Sequence, residues 1–179
     1  MQKLLRILAA LLVTTLVTPA QAFDPDINDP FQLDVQKAII AIKKADPGIE
    51  AWFENAAGYA VFPSVGKGGF VIGGAYGKGL VLVDEKIVGY TSMTQGTIGL
   101  QAGGQKYAQF IFFKDQVAVD HFKRGNFELG AQASAVAITA GASADAAYDK
   151  GVAIFTHAAG GLMFEGSVGG QKFKYTPKP

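Results

Sequence analysis

The spacing of apolar residues near the start of the chain predicts two helices. Asp29-Pro30 and Asp46-Pro47 each place a capping aspartate before a proline, an arrangement typical of a helix start. Behind the first start, apolar residues recur at helical spacing and form one stripe: Val35, Ala38, Ile39 and Ile42. The second helix is predicted to be short and to end before Gly58. The pattern therefore predicts a helical hairpin at the front of the domain.

From Tyr59 onward, the pattern changes to short runs of β-branched and aromatic residues that glycines interrupt. The predicted strands cover 59–62, 69–76, 79–84, 87–92, 96–102, 105–113, 127–139, 151–157, 162–168 and 172–175, with a helix over 114–123. Their spacing is typical of antiparallel hairpins, and glycine inside a strand marks a bulge, a bend or a close approach of two backbones. The sequence thus predicts an α+β fold: a strongly curved antiparallel β-sheet or a small β-barrel, covered by N-terminal helices.

The stretch "VFPSVGKGGFVIGGAYGKG" is rich in glycine and lysine, which suggests a phosphate-binding loop. Neither Gly-Lys pair has the spacing of G-x-x-x-x-G-K-[ST], and neither G-x-G is followed by the third glycine of a dinucleotide fingerprint. We therefore expect no nucleotide binding, and we interpret residues 66–79 as a bent hairpin.

Residues 1–22 have the features of a secretory signal peptide: two basic residues, an apolar run and the small-x-small sequence Ala20-Gln21-Ala22. The sequence predicts an exported protein, periplasmic, with release from the cell or a peripheral position at the outer membrane left open. Residues 23–29 are expected to be a flexible acidic segment, and 30–176 to form one domain. With no cysteine in the chain, disulfides cannot stabilise it.

Charge and residue content exclude several functions. The chain has 16 Lys+Arg and 15 Asp+Glu, and without residues 1–22, which carry Lys3 and Arg6 and no acid, the count is 14 against 15. A net charge near zero offers no electrostatic footprint for nucleic acid. His121 and His157 lack neighbours at metal-ligand spacing, and no nucleophile motif occurs. We predict no catalytic residue, no metal and no cofactor.

Three stretches, "GYAVFPSVGKGGFVIGGAYGKGLVLV", "GTIGLQAGGQKYAQFIFF" and "FELGAQASAVA", resemble the SYLF-domain family of lipid-binding proteins. The resemblance covers about residues 35–175. It implies a non-catalytic module that binds membrane lipid. Eukaryotic members bind phosphoinositides, some through a basic amphipathic helix at the front of the domain, and some bundle actin. An exported bacterial protein would instead meet anionic phospholipid.

The resemblance directs attention to lysines that could bind an anionic lipid head group. Lys67 and Lys78 lie between glycines, and lysines of the first predicted helix could complete one basic surface: Lys37, Lys43 and Lys44. Trp52 and Phe53 are either interfacial anchors or residues that pack against the sheet. The alternative function is a periplasmic scaffold that binds another envelope protein through the same surface.

Overall fold

The computed structural model of the chain describes residues 23–69, 72–98, 105–130, 132–158 and 170–179. The predicted signal peptide lies outside these ranges, as does the predicted strand over 162–168. Within them, no helix combines the length and the apolar character that crossing a membrane requires.

Both predicted helix starts at the front of the domain are confirmed. Helix α1 spans Pro30–Ala45, and the Asp29 side chain caps it by accepting hydrogen bonds from the N–H groups of Phe31 and Gln32. A 3₁₀ turn, Pro47–Ile49, leads into α2, Glu50–Asn55. The stripe predicted on α1 is buried against the sheet.

Within the described ranges the structure has seven strands, and several of them are longer than the sequence predicts. They are β1 Gly58–Gly69, β2 Ile72–Val83, β3 Lys86–Ile98, β4 Gln105–Phe113, β5 Val136–Ala137, β6 Val152–Ala158 and β7 Gln171–Pro177, with α3, Gln116–Lys123, after β4. The runs 69–76 and 79–84 belong to the single strand β2, and β1 and β2 form the predicted hairpin. The register of β1 shifts between Val61 and Ser64, which lies outside the bend predicted over 66–79.

The seven strands form one mixed sheet in the order β5-β6-β4-β1-β2-β3-β7. The prediction of an all-antiparallel sheet is wrong at one pair, because β5 and β6 are parallel. The chain between them is long enough for such a crossover and includes a 3₁₀ helix, Ala142–Asp145. The alternative of a small barrel is also wrong: over the described ranges, β5 and β7 remain the two edges of an open sheet.

The run 127–139 is a strand only at Val136–Ala137. Its first part instead borders β7, where the Leu129 N–H donates to the Gln171 carbonyl at 2.9 Å and the Phe173 N–H donates to the Phe127 carbonyl at 2.9 Å. The segment therefore passes from one edge of the sheet towards the other.

Apolar side chains cover both faces of the sheet. We call the face that packs against α1 and α2 the outer face, and the face that packs against α3 the inner face. The buried apolar residues on these faces form an outer cluster and an inner cluster. Successive residues of β4 alternate between them, since Phe112 lies in the outer cluster and Phe113 in the inner cluster. Phe23 joins the outer cluster with 7% of its surface exposed, so the start of the 23–29 segment is packed against the domain.

Candidate functional site

An open groove of about 620 Å³ lies between α1 and the outer face of the sheet. Its apolar lining comes from α1, β1 and β4: Phe31, Ala38, Ala41, Pro63 and Ala108. Its basic lining comes from α1, β2, β4 and β6: Lys37, Lys78, Lys106 and His157. The groove therefore combines an apolar floor with several groups that can donate hydrogen bonds to an anion.

The groove lies at the margin of the area that the helices cover. Along β2, Leu80 is fully buried, whereas Lys78 is exposed and Tyr76 is 50% exposed. Along β4, the same change occurs between the buried Phe110 and the exposed Lys106. Because alternate residues of a strand share a face, these side chains continue the outer face beyond the helices.

Strand register places four lysines on this uncovered part of the outer face, since directly paired residues have side chains on the same side. One row of paired residues crosses five strands through Lys106, Gly66, Tyr76, Thr94 and Lys172. The next row contains Ser64, Lys78, Ser92 and Lys174. None of the seven described strands contains Asp or Glu. We call Lys78, Lys106, Lys172, Lys174 and the neighbouring Lys37 the basic surface.

Only part of the basic surface is neutralised by nearby acids. Lys37 pairs with Asp34 at 3.1 Å and Lys172 with Glu128 at 3.0 Å, and both pairs are largely exposed, so they contribute little to stability. Within the described ranges, Lys78 and Lys106 have no salt-bridge partner. Their charges are therefore available to an anion.

The predicted lysines are not all brought together. Lys37 and Lys78 line the groove, and Lys44 is exposed on the same side of α1 as Lys37, about 10 Å further along the helix. Lys67 lies inside β1, opposite Ala75 of the inner cluster, and is 8% exposed. It therefore lies on the other face of the sheet from Lys78, and only three of the five predicted lysines lie on one side of the domain.

Lys43 belongs to a different depression, near the turn between β2 and β3. Its ammonium group lies 2.9 Å from the Glu50 carboxylate and 4.6 Å from the centre of the Phe53 ring. An acid and an aromatic face thus hold this lysine away from the groove.

Trp52 and Phe53 pack against the sheet. Phe53 is 7% exposed and meets Phe112 edge-on at 4.9 Å, and Trp52 lies 5.0 Å from the Phe155 ring. The Trp52 indole N–H also donates to the Ser143 carbonyl at 3.2 Å. Of the two roles expected for this pair, the structure favours packing.

Sequence reasoning missed Lys106, His157 and Tyr76. Lys106 meets the groove because β4 pairs with β1, which places it opposite Gly66. His157 reaches the same site because β6 pairs with β4 and sets it opposite Ala108. These pairings join segments far apart in the chain, so no local pattern indicates them.

Tyr107 is one of the residues that line the groove. Burial raises the pKa of Tyr107 to about 12, so its hydroxyl stays protonated at neutral pH. Over the described part of the chain, no three His, Asp or Glu side chains come together as metal ligands. The arrangement supplies cations and hydrogen-bond donors beside an apolar floor.

Comparison with known proteins relates the chain to a protein family and to a bacterial relative. Residues 94–176 match the protein family described as "Ysc84: Las17-binding protein actin regulator". "Beta cell expansion factor A" of Aeromonas veronii is 32% identical over 138 residues, which is 76% of this chain and 52% of that protein. The chain thus spans about half the length of this relative.

Proposed function

Because the chain belongs to the SYLF (Ysc84) family, we propose that it is an exported, non-catalytic module that binds anionic membrane lipid head groups through the basic surface. The observation that carries the proposal is the convergence of Lys37, Lys78 and Lys106 on one groove. Each lysine near an anionic bilayer contributes about 1 kcal/mol, so several are needed for useful binding, and salt should weaken it.

The neighbouring surface of α1 supports the same function. Ile40 is 59% exposed and lies between Lys37 and Lys44 on the outer side of the helix. An exposed apolar residue between cations is typical of helices that lie at the membrane interface. Tyr76, at the edge of the groove, has the amphipathic ring that favours the head-group region.

A strongly curved sheet is part of the proposal, since it would present the basic surface on a convex side. Two side-chain contacts across the inner face support this curvature. Gln109 of β4 donates to Gln171 of β7 at 2.8 Å, although three strands lie between them in the sheet. Four strand spacings in a flat sheet would separate these residues by about 19 Å. The Phe62 and Phe173 rings, from β1 and β7, are likewise 5.7 Å apart.

Co-sedimentation with liposomes tests the proposed function. Residues 23–179 should be retained by vesicles containing phosphatidylglycerol, released by salt, and not retained by phosphatidylcholine alone. Replacing Lys78 and Lys106 together by Gln should weaken retention roughly 30-fold, since two contributions of about 1 kcal/mol are lost. Lys86→Gln removes one charge at an exposed position beside the β2–β3 turn and is the matched control for Lys78→Gln alone, which should weaken retention roughly fivefold.

The second candidate is a protein-interaction module of the cell envelope. The family description includes binding to a protein, Las17. If no anionic vesicle retains the protein at low salt, the lipid proposal fails. If the protein then captures an envelope protein, and the Lys78/Lys106 variant loses that capture while Lys86→Gln keeps it, the interaction module is the correct function.

A further inference from the structure

The groove is a concave site, and adsorption to a membrane does not require one. Its volume of about 620 Å³ falls within the range of about 300–1,000 Å³ that is usual for sites that hold one small ligand. Helix α1 forms one wall, and the outer face of β1, β2 and β4 forms the other. The dimensions fit part of one molecule better than the surface of a bilayer.

The lining of the groove points to an acyl chain. Ala38 and Ala41 line the groove from α1, and their side chains are small enough to leave room between the helix and the sheet. Phe31 and Pro63 add apolar surface. Contact with an acyl chain would remove this apolar surface from water, and each methylene group buried should strengthen binding about fourfold.

Gly66 lies next to the groove, because the residues paired with it on β4 and β2, Lys106 and Tyr76, both line the groove. It lies between Lys106 and Tyr76 in the row of paired residues, and a Cβ at this position would have no heavy atom within 4 Å. The strand therefore leaves bare backbone and open space directly beside a lysine. A long side chain here would stand between Lys106 and Tyr76, at the margin of the groove.

The charges of the groove select an anionic head group. Three lysines, Lys37, Lys78 and Lys106, face one acid, Asp34, whose carboxylate is already paired with Lys37. His157 adds a further donor from β6. A phosphate between Lys78 and Lys106 would meet two cations without salt-bridge partners in the described ranges.

From these observations we infer that the groove binds a single lipid molecule, with its phosphate head group held by Lys78 and Lys106 and one acyl chain along the apolar floor under α1. The inference rests on the proposed lipid-binding function and extends it, because the ligand is one molecule taken up by the domain.

Calorimetric titration with lysophosphatidylglycerol below its critical micelle concentration tests this inference without a bilayer. One molecule should bind per protein. Lysophosphatidylcholine, which has the same chain with a zwitterionic head, should bind roughly tenfold more weakly, and glycerol phosphate, which lacks the chain, should not bind measurably.

The matched variants are Gly66→Leu and Gly96→Leu. Both glycines are exposed on the outer face, and a Cβ added at either would have no heavy atom within 4 Å, but only Gly66 lies beside the groove residues. Gly66→Leu should weaken binding of lysophosphatidylglycerol roughly tenfold, as the loss of contact with about two methylene groups predicts. Gly96→Leu should bind like the unchanged protein. If Gly66→Leu does not fold, Ala41→Leu narrows the groove from the helix side and should have the same effect.

The outcomes separate this inference from the proposed function. If anionic vesicles retain the protein but monomeric lysophosphatidylglycerol does not bind, the inference is wrong and membrane adsorption stands. Equal effects of Gly66→Leu and Gly96→Leu would also overturn it, as would binding of glycerol phosphate as strong as that of the full lipid. If the monomeric lipid binds while no vesicle retains the protein, the groove is a lipid site and the proposed membrane binding fails.

Discussion

Replacing Gly79 by alanine should destabilise the domain, whereas the same replacement at Gly66 should not. A Cβ on Gly79 would lie 2.6 Å from the Val61 carbonyl oxygen and 2.9 Å from Cδ1 of Phe62, while one on Gly66 would meet nothing within 4 Å. The Val61 carbonyl belongs to the backbone of β1, beside the bulge that begins there, so it cannot move away without disturbing the strand. Overpacking of this kind costs about 1–3 kcal/mol.

The effect of alanine on the unfolded state changes the free energy of unfolding of both variants by the same amount. Alanine reduces the conformational freedom of the unfolded state and thereby adds about 0.4–1 kcal/mol of stability where the folded backbone accepts it. Because this contribution is common to the two variants, the difference between their free energies of unfolding isolates the clash at Gly79. We expect Gly79→Ala to be less stable than Gly66→Ala by about 1–3 kcal/mol.

Urea unfolding of residues 23–179, followed by circular dichroism, measures this difference. Equal slopes for the two variants would show that the midpoints report stability in the folded state. If the two variants unfold at the same urea concentration, or if Gly66→Ala unfolds first, close backbone packing is not the reason for glycine at position 79. The result for Gly66 also establishes whether the larger change to leucine is a fair test of the groove.

Two further predictions concern buried polar groups. Asp46, 1% exposed, accepts from the Ser143 N–H at 2.7 Å, and although burial pushes its pKa upward, its hydrogen bonds hold the pKa below the usual value for aspartate. Asp46→Asn should therefore lower the free energy of unfolding by about 1–3 kcal/mol at neutral pH, and the difference should shrink as pH falls through the folded-state pKa, which urea unfolding at a series of pH values checks. Gln109→Leu removes both hydrogen bonds with Gln171, at 2.8 and 3.0 Å, and should cost about 1–3 kcal/mol. Replacing both glutamines by Leu should cost less than the sum of the single changes, and additive changes in thermal unfolding would contradict the pairing.

The front of the domain was predictable because its signals are local. Asp29-Pro30 and Asp46-Pro47 start helical segments where the sequence placed them, since a cap and a proline act within one turn. The apolar stripe on α1 is buried because its helical spacing places all four residues on the face that packs against the sheet. Capping and periodicity need no information about the rest of the chain.

Strand ends were harder to predict because glycine has two roles in this sheet. The Gly77-Lys78-Gly79 stretch looks like a break between two strands, yet all three residues pair with β3 within one strand. At Gly79 the absence of a side chain permits close packing of β1, while at Gly66 it leaves open space. Sequence alone does not distinguish these roles, because the atoms that would contact an added side chain belong to a different strand.

The candidate site was predictable only in part, for the same reason. Lys78 was identified from its glycine neighbours, but the alternation that puts it on the outer face puts Lys67 on the inner face. Lys106 became visible only through the pairing of β4 with β1. A flexible glycine-flanked turn would have presented both predicted lysines to solvent, whereas a regular strand separates them.

The near-zero net charge concealed the basic surface, because charge is divided between the elements of the fold. The described strands contain lysines and no acid, while acids stand at helix starts, as Asp29 and Asp46 do, and in turns, as Asp84 and Glu85 do. A carboxylate at a helix start is stabilised by the free N–H groups there, so Asp29 and Asp46 have a local structural use away from the sheet. Lys78 and Lys106 therefore lie on the outer face without a salt-bridge partner in the described ranges, although the net charge of the chain is near zero. Anion binding by this chain should accordingly follow the position of each lysine and not their number, which is the comparison that Lys86→Gln makes against Lys78→Gln.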